Sequence, residues 1–180
     1  MNVAARTLMT VEQFLDWHPD DEKWELIGGI PVEMMSESNL HETVKTSVVG
    51  ALTARLKPPS RCRPAADGRQ VKIDYHTSYR PDAHINCAPF GDPKAQLVEA
   101  PTVVFEVAVT FLRRDMLEKR ANYFHHSSVQ EVVIVDAEAR EVHHFLRDRA
   151  DPACLSGDDT LTLDSVGVSI PISEFFEWLP

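Results

Sequence analysis

The sequence predicts an α/β fold close to the α+β border, in which helices flank one mixed sheet. Two apolar, β-branched segments, 102–109 and 131–135, have the pattern of strands that are buried on both faces. A helical pattern lies between them at 112–126, and a longer one precedes them at 39–56. The 180 residues, 43% of them hydrophobic, suffice for one core, so we expect a single domain over residues 1–180.

The N-terminal part predicts a short helix followed by a hairpin. Residues 10–17 have helical spacing, and Thr10 with Gln13 forms a capping box. Apolar and polar residues alternate over 23–35 on both sides of Gly28-Gly29, which is typical of a two-residue hairpin turn.

Short strands and loops are expected in the rest of the chain. The predicted strands are 70–75, 79–86, 142–146 and two more between 160 and 170. The predicted loops are 60–68, 87–101 and 151–158, and a helical turn is expected at 173–178. The core order is therefore helix, strand, strand, strand, helix, strand, with extra strands after it.

The charge pattern excludes one class of protein and leaves one local option open. A net charge of −10 argues against a general nucleic-acid coat. Within residues 55–72, however, six basic residues stand against Asp67 alone. We predict Arg61, Arg63 and Arg69 as contacts to a nucleic-acid backbone, although a solvated loop and helix end explain the same pattern.

We expect a cytoplasmic protein with free thiols. Residues 1–11 lack the apolar segment of a secretion signal, and no apolar run approaches the roughly 18 residues of a membrane helix. Cys62, Cys87 and Cys154 are odd in number, widely spaced and without zinc-site spacing.

Glu106 is the residue that fits its surroundings least. It lies inside the apolar strand pattern of 102–109, where an ionised carboxylate is costly unless it is paired or binds a metal. A structural pair with Arg113 or Arg114 is one explanation. A metal site is the other, with Asp82 as the second carboxylate on a neighbouring strand.

Lys119 is the natural cation for such a site. Asp115, Lys119 and Tyr123 follow one another at four-residue spacing and share one helix face. If this face overlooks the strand ends, the ammonium group of Lys119 can stabilise charge on a phosphate or position a water. An ordinary surface pair of Asp115 with Lys119 is the alternative.

The order and spacing of these residues resemble a known family. The order Glu25, Asp82, Glu106, Lys119 is similar to the restriction-endonuclease-like superfamily, the PD-(D/E)xK nucleases, and more closely to the bacterial Uma-type "putative restriction endonuclease" family. The matching segments are Met9-Thr-Val-Glu-Gln-Phe-Leu15, Trp24-Glu-Leu-Ile-Gly-Gly29, His41, Arg80-Pro-Asp82, Val103-Val-Phe-Glu-Val107, Asp115 with Lys119 and Tyr123, and Val129-Gln-Glu-Val-Val-Ile-Val-Asp136.

The resemblance implies an αβββαβ core and a Mg²⁺-dependent DNA endonuclease, with Mn²⁺ as a possible substitute, that works as a homodimer. Asp82 and Glu106 would bind the metal. Lys119 would replace the lysine that the standard motif places where this chain has Ala108. Glu25, His41 and Tyr123 would lie near the site; these roles come from the resemblance.

The chain also departs from the family pattern. Gly28-Gly29-Ile30 replaces the usual Asp-Gly-Glu, and 108–112 replaces the usual Leu-Ser-Pro-Ser-Thr. A degenerate nuclease that only binds DNA or protein is therefore the second function class. His84, on the strand that follows Asp82, either contacts the site or packs. The paired histidines at 125–126 and 143–144 do not predict zinc, because adjacent strand residues face opposite ways.

Overall fold

A computed structural model describes residues 8–17, 23–109 and 115–180. Its helices are α1 (Val11–Trp17), α2 (Asn39–Arg55) and α3 (Asp115–Tyr123), with a 3₁₀ helix at Ile172–Phe175 near the end. Its strands are β1 (Trp24–Ile27), β2 (Ile30–Glu33), β3 (Arg63–Ala66), β4 (Val71–Lys72), β5 (Ser78–Tyr79), β6 (Ala83–Asn86), β7 (Pro101–Ala108), β8 (Glu131–Asp136), β9 (Glu141–Leu146), β10 (Ala153–Ser156), β11 (Thr160–Leu163) and β12 (Val168–Pro171).

Six of these strands form a mixed sheet in the order β10-β9-β8-β7-β6-β3. Only β7 and β8 run parallel within it, and α3 makes the crossover between them. Both strands are buried along nearly their whole length, as their predominantly apolar sequence predicted. The predicted α/β class with a mixed sheet and flanking helices is confirmed.

The two faces of this sheet carry different cores. One face packs against α2 and the C-terminal strands through residues such as Val48, Phe105 and Phe175. The other face holds Tyr123 and Ile134 in a second cluster, on the side of α3. Glu106 belongs to this second face, because strand side chains alternate and its neighbours two positions away lie in the second cluster.

A smaller sheet, in the order β2-β1-β5-β4, carries the predicted hairpin. Gly28 and Gly29 form its turn with φ of 56° and 80°, the left-handed region that glycine adopts without a steric penalty. The predicted capping box of α1 is confirmed, because Thr10 and Gln13 exchange backbone-to-side-chain hydrogen bonds of 2.9 and 3.2 Å.

Four predicted segments were wrong in detail. The predicted strand 70–75 is reduced to β4, Val71–Lys72. Residues 60–68 are not all loop, since β3 pairs antiparallel with β6; an edge strand tolerates Pro64. Residues 79–86 are not one strand, because the chain leaves the small sheet after Tyr79 and enters the large one at Ala83. β10 lies within the predicted loop 151–158 as the opposite edge.

The expectation of free thiols was wrong for two of the three cysteines. Cys62 and Cys87 form a disulfide. Arg63 and Asn86 are paired across β3 and β6, so the residues just beyond them lie face to face at the end of the strand pair. Cys154 is free and exposed. The expected cytoplasmic location thus loses the support of free thiols and stays a prediction.

No helix in the described residues is long and apolar enough to cross a membrane. The aromatic pair Phe175 and Phe176 is buried in the first core, whereas Trp178 is exposed.

Candidate active site

Asp82 and Glu106 meet where β6 begins and β7 ends. Asp82 stands directly before β6, and its Oδ2 accepts a hydrogen bond of 2.7 Å from the backbone N–H of Val107. This bond holds the Asp82 carboxylate beside the residue that follows Glu106. β5 ends at Tyr79 in the small sheet and β6 begins at Ala83 in the large one, so the connection 80–82 places Asp82 where the two sheets adjoin.

Glu106 is buried and has two partners on one carboxyl oxygen. Its Oε1 accepts from the Tyr123 hydroxyl at 2.5 Å and lies 2.9 Å from Nζ of Lys119. Burial, with help from the charges of Asp82 and Glu25, raises the pKa of Glu106 to about 7, although Lys119 and Tyr123 act in the opposite direction. A cation placed here would relieve the repulsion between the carboxylates.

Glu25 brings the third carboxylate from the hairpin. Its Oε1 accepts from the backbone N–H of Arg80 at 2.8 Å and lies 2.7 Å from Nζ of Lys119. β1 pairs with β5, which leads directly into Arg80 and Asp82, so sheet pairing brings Glu25 to the site.

Lys119 thus bridges Glu25 and Glu106 through one ammonium group. Burial by itself would lower its pKa, but the two carboxylates outweigh burial and raise the pKa of Lys119 above its ordinary value. The ammonium group also lies 5.3 Å from the centre of the Tyr79 ring. Lys119 is therefore a fixed cation of this site, and it does not serve as a proton acceptor near neutral pH.

His41 connects the long helix to Asp82. Its Nε2 lies 3.2 Å from Asp82 Oδ2, and its Nδ1 lies 3.2 Å from Glu37 Oε2. Burial would lower the pKa of His41, yet the hydrogen bond and charge of Asp82 raise it, with help from Glu37. The Ser38 hydroxyl caps α2 by accepting from the His41 N–H, which fixes the start of the helix at the site.

Glu37 is a site residue that the sequence did not predict. It pairs with Lys23 and with Lys45, and both lysines also reach Asp67. Burial would raise the pKa of Glu37, but the two ammonium groups lower it to about 2. Its anionic form is therefore kept at all ordinary pH values and faces His41.

Among the described residues, Glu37, His41 and Asp82 form a group whose ligand atoms lie within 4.8 Å of one another. Glu25, Asp82 and Glu106 do not form such a group in this structure. Each of these three carboxylates places the partners named above on one oxygen, and within the described residues the second oxygens carry no hydrogen bond or ion pair. Free carboxylate oxygens suit a hard divalent cation.

The structure thus brings together six predicted residues: Glu25, His41, Asp82, Glu106, Lys119 and Tyr123. It does not bring the predicted backbone contacts into this cluster. Arg61 is exposed, and Arg63 and Arg69 line a separate hollow. The pairing of Glu106 with Arg113 or Arg114 falls on residues outside the described ranges, as does the side chain of Asp115.

Neither His84 nor His144 joins the site. His84 is buried on β6, both ring nitrogens lack a hydrogen-bond partner within the described residues, and burial with the charge of Arg69 lowers its pKa to about 4. His144 instead contacts Glu131 at 2.5 Å.

A known protein family matches most of this chain. The model of the Uma2 family, described as "putative restriction endonuclease", matches residues 11–173. The chain belongs to the Uma2 family. The match spans the hairpin, both carboxylate-bearing strands and α3 of this Uma2 protein, that is, every element that contributes to the cluster.

A solved structure shares the fold of this Uma2 protein. It is described as a "putative nuclease belonging to DUF820 from Anabaena variabilis ATCC 29413". The TM-score is 0.80 at 16% sequence identity, and the similarity covers 96% of this chain and 99% of that one. Among curated proteins, no sequence match was found.

Proposed function

We propose that this Uma2 protein is a metal-dependent endonuclease that hydrolyses phosphodiester bonds of DNA. Membership in the family supports a nuclease function. The observation that carries the proposal is that Lys119 bridges Glu25 and Glu106 while Asp82 is held beside Glu106 by the Val107 N–H; within the described residues, one oxygen of each carboxylate has no hydrogen-bond or ion-pair partner.

The metal is Mg²⁺ in this proposal, with Mn²⁺ as a substitute. Asp82 and Glu106 would hold it, and Glu25 adds a further acidic group. Such an ion supplies a bound water of lowered pKa and neutralises charge on the scissile phosphate. Mg²⁺ prefers one or two carboxylates together with water and substrate phosphate, which matches this donor set.

The protein side chains orient the reacting groups. Because two carboxylates keep Lys119 protonated, it stabilises negative charge on the phosphate and orients the attacking water. Tyr123 donates a hydrogen bond to one oxygen of Glu106 and leaves the other oxygen for the metal. His41 donates to Asp82 and is itself held by Glu37, so it positions this carboxylate.

The proposal also names the substrate, the oligomeric state and the cellular location. DNA is the substrate, and Arg61, Arg63 and Arg69 contact its backbone. The protein acts as a homodimer, because one site cuts one strand. It is proposed to work in the cytoplasm.

A cleavage assay tests the proposal. Supercoiled plasmid and single-stranded DNA are incubated with Mg²⁺ or Mn²⁺ and with wild type, Glu106→Gln or Lys119→Gln. Loss of Lys119 is expected to lower the rate by about 10²–10³, the usual effect of removing one charge-stabilising group. Glu106→Gln is expected to abolish cutting and to weaken Mn²⁺ binding in calorimetry.

Glu131→Gln is the matched control, because Glu131 is also a buried carboxylate of the large sheet but lies outside the cluster on β8. It is expected to cut like wild type. Equal cutting by Glu106→Gln would place the chemistry elsewhere. No cutting by wild type, with DNA binding retained, would favour the degenerate nuclease that only binds; the altered residues at 28–30 and 108–112 point to that alternative.

A further inference from the structure

A second polar hollow lies on the large sheet, away from the carboxylates. It has a volume of about 230 Å³ and is lined by Arg63, Arg69, Asn86, Phe90, Asp92 and Glu99, among others. This volume is below the roughly 300–1,000 Å³ of clefts that enclose drug-sized ligands, so the hollow fits one ring system.

The guanidinium groups of the hollow and the amide nitrogen of Asn86 have no hydrogen-bond or ion-pair partner within the described residues. Within the described ranges, neither Arg63 nor Arg69 forms an ion pair or a side-chain hydrogen bond, whereas most buried or half-buried arginines elsewhere do. Asn86 is 4% exposed; its Oδ1 accepts from the N–H of Ala88, and no partner is found for Nδ2 in the described residues. Three donors therefore face the hollow.

Phe90 supplies an aromatic surface at the rim. Its ring is 76% exposed, and the guanidinium of Arg63 lies 5.6 Å from the ring centre. Single-stranded nucleic acid stacks its bases on aromatic rings of this kind when positively charged groups lie beside them. The disulfide between Cys62 and Cys87 holds the chain next to Arg63 and Asn86, so the walls of the hollow are cross-linked.

Strand β6 connects the hollow with the carboxylate cluster, because Asn86 lies at its end and Asp82 directly before its start. Asn86 and Asp82 are four residues apart on or next to β6, which corresponds to about 13 Å of strand. Asn86 and Glu106 also belong to the same face of the sheet. A strand held in the hollow can therefore reach the carboxylate cluster within a few nucleotides.

Resting on the proposed nuclease function, we infer that the hollow binds one unpaired nucleotide of the substrate strand, with its base on Phe90 and its phosphate between Arg63 and Arg69. The acidic residues Asp92 and Glu99 fit this ligand better than an inorganic anion, because carboxylates accept hydrogen bonds from base amino groups.

The test measures binding without cleavage. A fluorescein-labelled single-stranded octanucleotide is titrated with the full chain in EDTA, and anisotropy is recorded over a range of salt concentrations. Phe90→Ala is expected to weaken binding roughly 5- to 150-fold, the loss of one base–aromatic stack, with an unchanged salt slope. Arg69→Gln is expected to reduce the salt slope by about 0.7, the loss of one phosphate contact.

Tyr75→Ala is the matched control. Tyr75 is also an exposed ring next to a cation, Lys72, but it lies in the small-sheet region outside the hollow. It is expected to bind like wild type. An octanucleotide with abasic sites should bind wild type as weakly as the normal strand binds Phe90→Ala.

Unchanged affinity of Phe90→Ala would overturn the inference, and so would tight binding of inorganic phosphate in the hollow. If free dTMP binds as tightly as the strand, the hollow is a mononucleotide site, and the inference that it holds part of the substrate strand is wrong. Because EDTA removes catalysis, these outcomes are independent of the cleavage assay. A protein that does not cut DNA can still bind the strand through Phe90, and an active nuclease can lack this binding.

Discussion

Glu131 shows how a single buried carboxylate depends on its donors. Its side chain is 1% exposed; Oε2 contacts His144 Nε2 at 2.5 Å, and Oε1 accepts from the Ser165 N–H at 2.8 Å. Burial alone would raise the pKa of Glu131, but these two hydrogen bonds hold it below the ordinary 4.5. The folded protein therefore favours the ionised form more strongly than the unfolded chain does.

A pH-dependent contribution to stability follows. Wild type should exceed Glu131→Gln in free energy of unfolding by about 1.5–3 kcal/mol near neutral pH, the worth of hydrogen bonds to a charged group. As the pH falls below 4.5, the unfolded chain takes up the proton first, so this advantage declines through the lower folded pKa. Urea unfolding of both proteins from about pH 7 to about pH 3 measures the difference, and a constant difference would contradict it.

At the residue scale, a site residue is easiest to predict when its side chain does not suit the secondary-structure element in which it lies. Glu106 is recognisable because a charge interrupts an apolar strand, and Lys119 and Tyr123 because they share a helix face. Glu37 gave no such signal. It lies in a polar loop, and its partners Lys23 and Lys45 reach it only through the folded chain.

The hairpin is the element that presents Glu25, and its turn contains a sensitive position. A Cβ atom on Gly29 would lie 2.5 Å from Cβ of Leu8 and 3.2 Å from the N atom of Met9, which itself donates to Gly29 O at 2.9 Å. A Cβ atom on Gly28 would meet nothing within 4 Å. Both glycines have positive φ, so only the contact differs between them.

This pair gives a controlled prediction. Gly28→Ala should lower the free energy of unfolding by about 1–2 kcal/mol, the cost of left-handed backbone in an alanine. Gly29→Ala should lower it further, because the backbone near Leu8 must also move. Thermal and urea unfolding of the two variants compare them directly. Equal losses would mean that the contact with Leu8 does not hold the turn in solution.

At the element scale, periodicity predicted the long helix and the buried strands, and it failed on short edge elements. The strand β3 contains Pro64 and follows a basic loop, so its sequence reads as a turn. Its strand character comes from pairing with β6, which no local pattern encodes. The division of 79–86 between two sheets has the same origin, since the register of each half is set by distant partners.

At the scale of the whole molecule, a net charge of −10 opposes nucleic-acid binding at long range. Association with DNA must therefore depend on the local basic segment 55–72. We predict that reversing the charges of Arg61 and Arg63 with Glu makes the binding constant for duplex DNA less dependent on salt. The negative slope of log K against log salt should become shallower by about 1.8, or about 0.9 for each lost phosphate contact. Filter binding or anisotropy in EDTA over several salt concentrations measures this slope.

The matched control reverses Arg140 and Arg149, which lie in the acidic C-terminal part of the chain. Both double variants change the net charge by the same amount, so a general electrostatic effect would alter affinity and slope equally in the two. A change confined to the first variant assigns the phosphate contacts to Arg61 and Arg63. An unchanged slope in that variant would remove these residues from the DNA-binding surface, and the hollow around Phe90 would then have to bind the strand through Arg69 alone.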